Sequence, residues 1–408
     1  MRPGMISHVA RKEILSTLRD RRAIISSLLI PLLILPVVML GLPLLLGGLF
    51  EREQATVTQI PVTGLANLPE SLREDLESQN IAFIEETDLE TLVREGSYQV
   101  ALSIPDAFED RLLAGEQPSL TIFSKQGNLR SELNAEKIED AVGTFSESII
   151  AEHLSGVGLS LDVLTPIKIE TLDASSEAER SSGQLAWLIP FFIAVWTLAG
   201  GQVTALDATA GEKERGTLES LLVSPVRRAE VVVGKFLSTL TFGLAASVMA
   251  ILGYILGGVI LRAVFLRQLG EDAEAIVTIM GGSLQTTPLS ILLLLISALL
   301  LAALIAALLI SITAFARTYK EAQSYVAPLS FLMILPAVGL QFADFFARNP
   351  LIYLTPILNA LILMDDIVKG KAELLPVLLT WGSLAAISAL LLDFAYRSFK
   401  REGVIFRT

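Results

Sequence analysis

The feature that most constrains this chain is the stretch 23–50, which carries no charged side chain over 28 residues. As a helix it is about 42 Å long, against a bilayer hydrocarbon core of about 30 Å, so it can span a membrane with tilt to spare. A cleaved signal peptide would have a shorter apolar run and an Ala-x-Ala site. The stretch is therefore read as an uncleaved first transmembrane helix, with Pro31, Pro36 and Pro43 expected to kink it. Five further apolar runs are read as spans, at 185–206, 236–261, 289–316, 322–343 and 374–392. A mean hydropathy of +0.60 with 52% hydrophobic residues agrees with an integral membrane protein.

Another apolar run, 350–364, has 15 residues, short for a span and suited to a re-entrant segment. The charge distribution supports this choice. With six spans and the N-terminus inside, the inner segments 1–22, 207–235, 317–321 and 393–408 hold 17 Lys/Arg. The short outer segments 262–288 and 344–373 hold 5. This follows the positive-inside rule, and a seventh span would move Arg397, Lys400, Arg401 and Arg407 to the outside. Residues 1–22 place Ile6, Ala10, Ile14 and Leu18 at i, i+4 spacing among basic residues, which predicts an amphipathic helix on the inner membrane surface.

The formal net charge is −12, and its source is local: residues 51–184 hold nine Lys/Arg against twenty-six Asp/Glu. Here strand-like runs at 59–64, 80–85, 98–104 and 119–124 alternate with helical stretches at 69–78, 87–95 and 106–114. A longer helix is expected over about 131–154. The pattern predicts a small α/β domain outside the membrane, returned to it by the polar linker 175–183. The expected fold class is thus an α-helical polytopic membrane protein: six transmembrane helices and a re-entrant segment, with an α/β extracytoplasmic domain between the first two spans. The domain boundaries read as 1–22, 23–50, 51–184 and 185–408.

Between the second and third spans lies a charged island at 211–235. Gly216 can end a helix leaving the membrane, and Thr217 can cap a short one with Glu219 in its first turn. Leu218, Leu221 and Leu222 give that helix an apolar face. Ser224 and Pro225 then restart the chain as an N-cap followed by Pro at the first helical position. The run 212–225, EKERGTLESLLVSP, closely resembles the signature loop of type-2 ABC exporter permeases, particularly the subgroup that includes the sodium-exporting permease. The resemblance implies an elbow helix at the N-terminus, a re-entrant segment before the last span, and two permease subunits, identical or not, driven by two cytoplasmic ABC ATPase subunits. It also implies that this loop docks on the ATPase, with Leu218 and Leu222 in an apolar cleft and Glu212, Glu214, Arg215 and Glu219 setting orientation. Gly216, Thr217, Ser224 and Pro225 complete the coupling residues. The chain itself has no GxxxxGK[ST] run, so ATP must be handled by another subunit.

No cofactor, metal site or nucleic-acid partner is expected. There is no cysteine, and the two histidines, His8 and His153, are far apart in sequence. Four ionisable or polar residues near apolar runs are candidate pathway residues. Asp207 closes the second span at an expected inner interface. Asn359 could line a vestibule or satisfy re-entrant backbone groups. Asp365 and Asp366 suit either a solvated helix end or ligation of a hard cation. Gly253 and Gly257 form a GxxxG face that permits close helix approach, within the subunit or at a dimer seam. Sodium efflux is one substrate reading. A membrane-anchored ectodomain receptor without transport activity is the rival from another class, although the longest inner segment is only about 30 residues. A membrane-embedded hydrolase is not supported, because HExxH and GxSxG are absent.

Overall fold

A computed structural model of the protein describes residues 2–160, 163–164, 179, 186–217, 224–268, 287–345 and 350–400. Two compact units emerge, Leu44–Asp173 and a helical unit made of Met1–Pro43 with Ala174–Thr408.

The helical unit contains six helices long and apolar enough to cross a membrane: Arg21–Gly41, Leu188–Glu214, Arg228–Val264, Pro288–Thr313, Tyr319–Phe342 and Leu374–Lys400. These are the first to sixth spans. Each coincides with a run read from the sequence, because loss of charge over some twenty residues is a local property. An N-terminal helix, Pro3–Arg19, precedes them. Glycines set how closely the spans approach. A Cβ on Gly253 would lie 2.5 Å from Leu32 O, and one on Gly257 would lie 2.8 Å from Met39 Sδ, so the GxxxG face packs within the chain against the first span. Gly200 similarly admits the third span, with Ala246 Cβ at 2.6 Å from where its own Cβ would stand. The fourth and sixth spans are joined by polar contacts, with Ser311 Oγ donating to Leu391 O at 3.1 Å and Trp381 Nε1 to Ser297 Oγ at 3.0 Å.

At three places the structure adds detail to, or corrects, the local reading. Helix Ile30–Ala55 runs unbroken through Pro31, Pro36 and Pro43. A π-helical turn, Ile25–Leu29, lies just before Pro31, where the wider ring accommodates a residue that lacks an N–H and crowds the carbonyl four residues back. The third span does not restart at Pro225 but at Arg228. There Glu230 accepts the Arg227 N–H at 3.0 Å, the return half of a capping box. Finally, the face that the N-terminal helix buries is Val9, Ala10, Glu13 and Thr17, while Leu18 stays 44% exposed. The reason is a partner the periodicity does not contain, described below.

The unit Leu44–Asp173 holds a four-stranded sheet of β1 (Thr58–Thr63), β2 (Ile81–Glu85), β3 (Val100–Ser103) and β4 (Thr121–Ser124), in the order β2-β1-β3-β4. β1 pairs in parallel with both β2 and β3, and β4 closes the edge antiparallel to β3. Parallel neighbours need crossovers, and helices Glu70–Ser78 and Leu89–Glu95 supply them. Strand alternation divides the core. Ile60, Val62, Val100 and Leu102 meet Leu72 and Leu76 and, from helix Leu129–Gly156, Ile138 and Ala141. Ala101 points the other way, onto Leu89 and Val93. Each fully buried Leu or Ile contributes about 1.5–3 kcal/mol, so this core can hold the unit together without the membrane. Gly96, at φ +84°, ends helix Leu89–Glu95 in the left-handed conformation that residues with a Cβ avoid.

Candidate coupling site

The second span does not stop cleanly. After Leu206 it widens into a π-helical turn, Asp207–Gly211, and then makes one more α turn, Glu212–Glu214. Gly216, at φ +69°, terminates it as the sequence indicates. The hydroxyl of Thr217 donates back to Glu212 O at 3.2 Å. Leu218, Leu221, Glu219 and Leu222, with the short helix expected from Thr217 onward, lie outside the described residues. The linker 175–183 does so too, except for Glu179.

What the structure describes is the base of this loop, and its charges are mostly engaged within the chain. Glu212 is buried. One of its oxygens accepts from Lys12 Nζ and the other from Lys235 Nζ. Lys235 is completely buried and also donates to Glu13 at 3.1 Å and to the carbonyl of Ala208. Its three N–H donors therefore all have acceptors. The core of this cluster comprises two carboxylates and two ammonium groups, a balance that makes burial tolerable. For Lys12, burial favours the neutral form, but its hydrogen bond to Glu212 and the charges of Glu13 and Glu212 outweigh this and hold the ammonium above the ordinary lysine value. Around these residues lies a polar cleft of about 440 Å³ lined by Lys12, Glu13, Asp207, Glu212 and Arg215.

Neighbouring residues tie the same segment to the other spans. Lys213 Nζ donates to Ala314 O and Ala316 O just past the fourth span, where a cation complements unsatisfied carbonyls. Glu214 accepts the Tyr319 N–H at 2.8 Å, at the start of the fifth span, where a carboxylate is favoured. Arg228 donates to Lys400 O at 2.9 Å, at the end of the sixth span. Arg2, ahead of the N-terminal helix, reaches buried Glu230 through its backbone N–H at 2.8 Å and its guanidinium at 3.2 Å, and also bonds Pro225 O. Arg215 pairs with Asp207 at 2.9 Å, both partly exposed. Toward solvent the segment presents Glu214, Arg215, Gly216, Thr217 and Pro225.

The other candidate residues form a separate cluster at the opposite end of the sixth span, on the short helix Leu358–Val368. Its eleven residues amount to about 16 Å, half a bilayer core. Asp365 and Asp366 are not a solvated helix end; they are 1% and 2% exposed. Lys369 pairs with Asp365 at 2.8 Å, and Tyr353 Oη donates to Asp366 at 3.0 Å. Asn359 is buried and satisfies backbone and neighbouring groups, donating to Tyr353 O at 3.1 Å and Ser383 Oγ at 2.7 Å. Ile357 enters the helix at φ +73°, a strained conformation for a β-branched residue.

Sequence reasoning missed Arg2, Glu13, Glu230 and Lys235 as members of the first cluster. A usable signal existed for Lys235: it lies at the edge of an apolar run, where an ionisable group needs a partner. Its partner Glu13, 222 positions away, could not be identified from that signal.

Residues 22–397 match the family described as ABC-2 family transporter protein. The chain is also 27% identical over 407 residues to the ABC transporter permease protein NatB of Bacillus subtilis (strain 168), covering 98% of each. The chain belongs to the ABC-2 transporter family and is a membrane-spanning permease subunit whose ATPase is a partner chain.

Proposed function

We propose that the segment 207–235 is the surface through which the cytoplasmic ATPase drives this permease. The observation that carries the reading is that the segment is bonded to the ends of the fourth, fifth and sixth spans and to the helix preceding the first. Lys213, Glu214, Arg228 and Lys235 make these bonds. A push delivered here reaches every part of the bundle without passing through the lipid-facing surfaces. In this reading Leu218, Glu219 and Leu222 make the docking contact, with Glu214, Arg215, Gly216, Thr217, Ser224 and Pro225 at its rim. Glu212 serves from inside by holding the base of the loop. ATP must bind the closed ATPase arrangement better than the open one for the push to shift the permease.

The same reading places the N- and C-termini in the cytoplasm, in keeping with the excess of Lys/Arg on that side, and the unit Leu44–Asp173 outside. The short helix Leu358–Val368 belongs to a re-entrant segment, and two permease subunits form the pathway. Asp207, Asn359, Asp365 and Asp366 remain the residues to test along it. Co-purification with candidate ATPase subunits tests the central contact, comparing wild type with Glu219→Arg and Leu222→Asp. Wild type retains an ATPase and the correctly inserted variants lose it; equal retention by all three refutes the docking contact.

A further inference from the structure

Resting on the coupling reading above, we infer that Lys235 is a positioning residue that makes the N-terminal helix Pro3–Arg19 a rigid part of the moving coupling element. A helix that merely floats on the lipid surface turns its apolar stripe to the bilayer and its charges to water. This helix instead buries a carboxylate, Glu13, against the base of the third span.

Three contacts fix it there along one face. At its start Arg2 clasps Glu230. In its middle Val9 lies so close to Gly234 that a Cβ on that glycine would stand 2.6 Å from Val9 Cγ1. Further along, Glu13 meets Lys235 at 3.1 Å. Positions 230 and 234 are one helical turn apart, and 235 is adjacent, so a single strip of the third span receives the helix.

Lys235 adds what the other two contacts lack, because its ammonium also holds the end of the second span. In an α-helical ladder the Glu212 N–H would bond Ala208 O; in the π-helical turn it is directed at Asp207 O. Ala208 O accepts from Lys235 instead, and the Glu212 carboxylate takes a second of its donors. One side chain thus joins three pieces of chain: the N-terminal helix through Glu13, the π-helical turn through Ala208, and the root of the coupling loop through Glu212. The consequence is that the N-terminal helix travels with the loop when the ATPase moves it.

The chain has no cysteine, so two introduced cysteines can be spin-labelled cleanly. Exposed Ser7 on the N-terminal helix and half-buried Gln202 on the second span suit this purpose, because the other two contacts reach only the third span. The Ser7→Cys/Gln202→Cys chain, assembled with its ATPase subunits in lipid nanodiscs, is measured by pulsed electron resonance without nucleotide and after trapping with ATP and vanadate. With Lys235 present, one narrow distance is expected and is the same in both states. Lys235→Met loses it, giving a broad distribution that changes on trapping, while the ATPase stays bound. Lys235→Arg restores the narrow distance, because a guanidinium keeps the charge and donors for both carboxylates. Should Lys235→Met fail to insert, Lys235→Met/Glu212→Gln removes the link with charge still balanced and carries the same expectation. A distance that shifts on trapping with Lys235 present, or stays narrow in the methionine variants, overturns the inference alone. Failure of the parent chain to capture any ATPase overturns the coupling reading beneath it.

Discussion

Replacing Lys235 by Met tests the energetics of the buried cluster most directly. The substitution removes one ammonium and leaves Glu13 and Glu212, both about 3% exposed, with only Lys12 to offset them. Lys12 is half in solvent, so its charge is partly screened. Breaking a buried pair by deleting one partner typically costs about 3–5 kcal/mol, because a charge is stranded in a poorly solvated place. A second substitution, Glu212→Gln, neutralises the stranded group and leaves Lys12 and Glu13 as a balanced pair at 3.2 Å. Replacing both members of a buried pair is close to neutral in other proteins, so the double variant should lie within about 1 kcal/mol of wild type. Adding Glu212→Gln to Lys235→Met should therefore return about 2–4 kcal/mol of the loss, as expected for residues in contact. The assay is reversible unfolding in mixed detergent micelles, with stabilities taken at equal denaturant. If the double variant is as unstable as Lys235→Met, or less stable, the penalty did not come from a stranded charge and the electrostatic account of the cluster is wrong.

Further predictions concern packing and pH. Gly234→Ala places a methyl 2.6 Å from Val9 Cγ1 and 2.7 Å from Val9 Cβ and should cost about 1–3 kcal/mol by overpacking; Val9→Ala in the same chain removes only the first of these contacts and should return only part of that loss in the same unfolding assay. Gly253→Ala meets a backbone atom, Leu32 O at 2.5 Å, which cannot rotate away, so the first and third spans must separate. Disulfide trapping between cysteines placed on those two spans should slow, and unchanged trapping would count against the packing described. For Lys12 the folded ammonium is held above its ordinary value of 10.5, so the stability it contributes is fully present below that pH and is lost as pH rises through the folded value. The stability difference between wild type and Lys12→Met should accordingly be flat from about pH 6 to 9 and shrink only above about 10.5; a loss near neutral pH would contradict the ion pair with Glu212.

The sequence alone determined the features that depend on near neighbours. Six spans follow from the absence of charge over runs such as 289–310, and the strands and helices of 58–156 follow from alternation and i, i+4 spacing, as in Leu72 with Leu76. The family was legible too, because 212–225 is a contiguous motif. Tertiary structure decided which of those elements meet. Whether β1 lies between β2 and β3 is not encoded in any one strand, and the buried face of the N-terminal helix is Val9 and Glu13 only because Gly234 and Lys235 stand opposite. It also decided the state of the charges. Glu212, read as part of an exposed docking loop, and Asp365 and Asp366, for which a solvated helix end is one of two readings, are all buried. A carboxylate at the edge of an apolar run can face water or a distant cation, and nothing within a few residues distinguishes the two. The cost of burying it is met by groups such as Lys235 and Tyr353, which folding brings alongside.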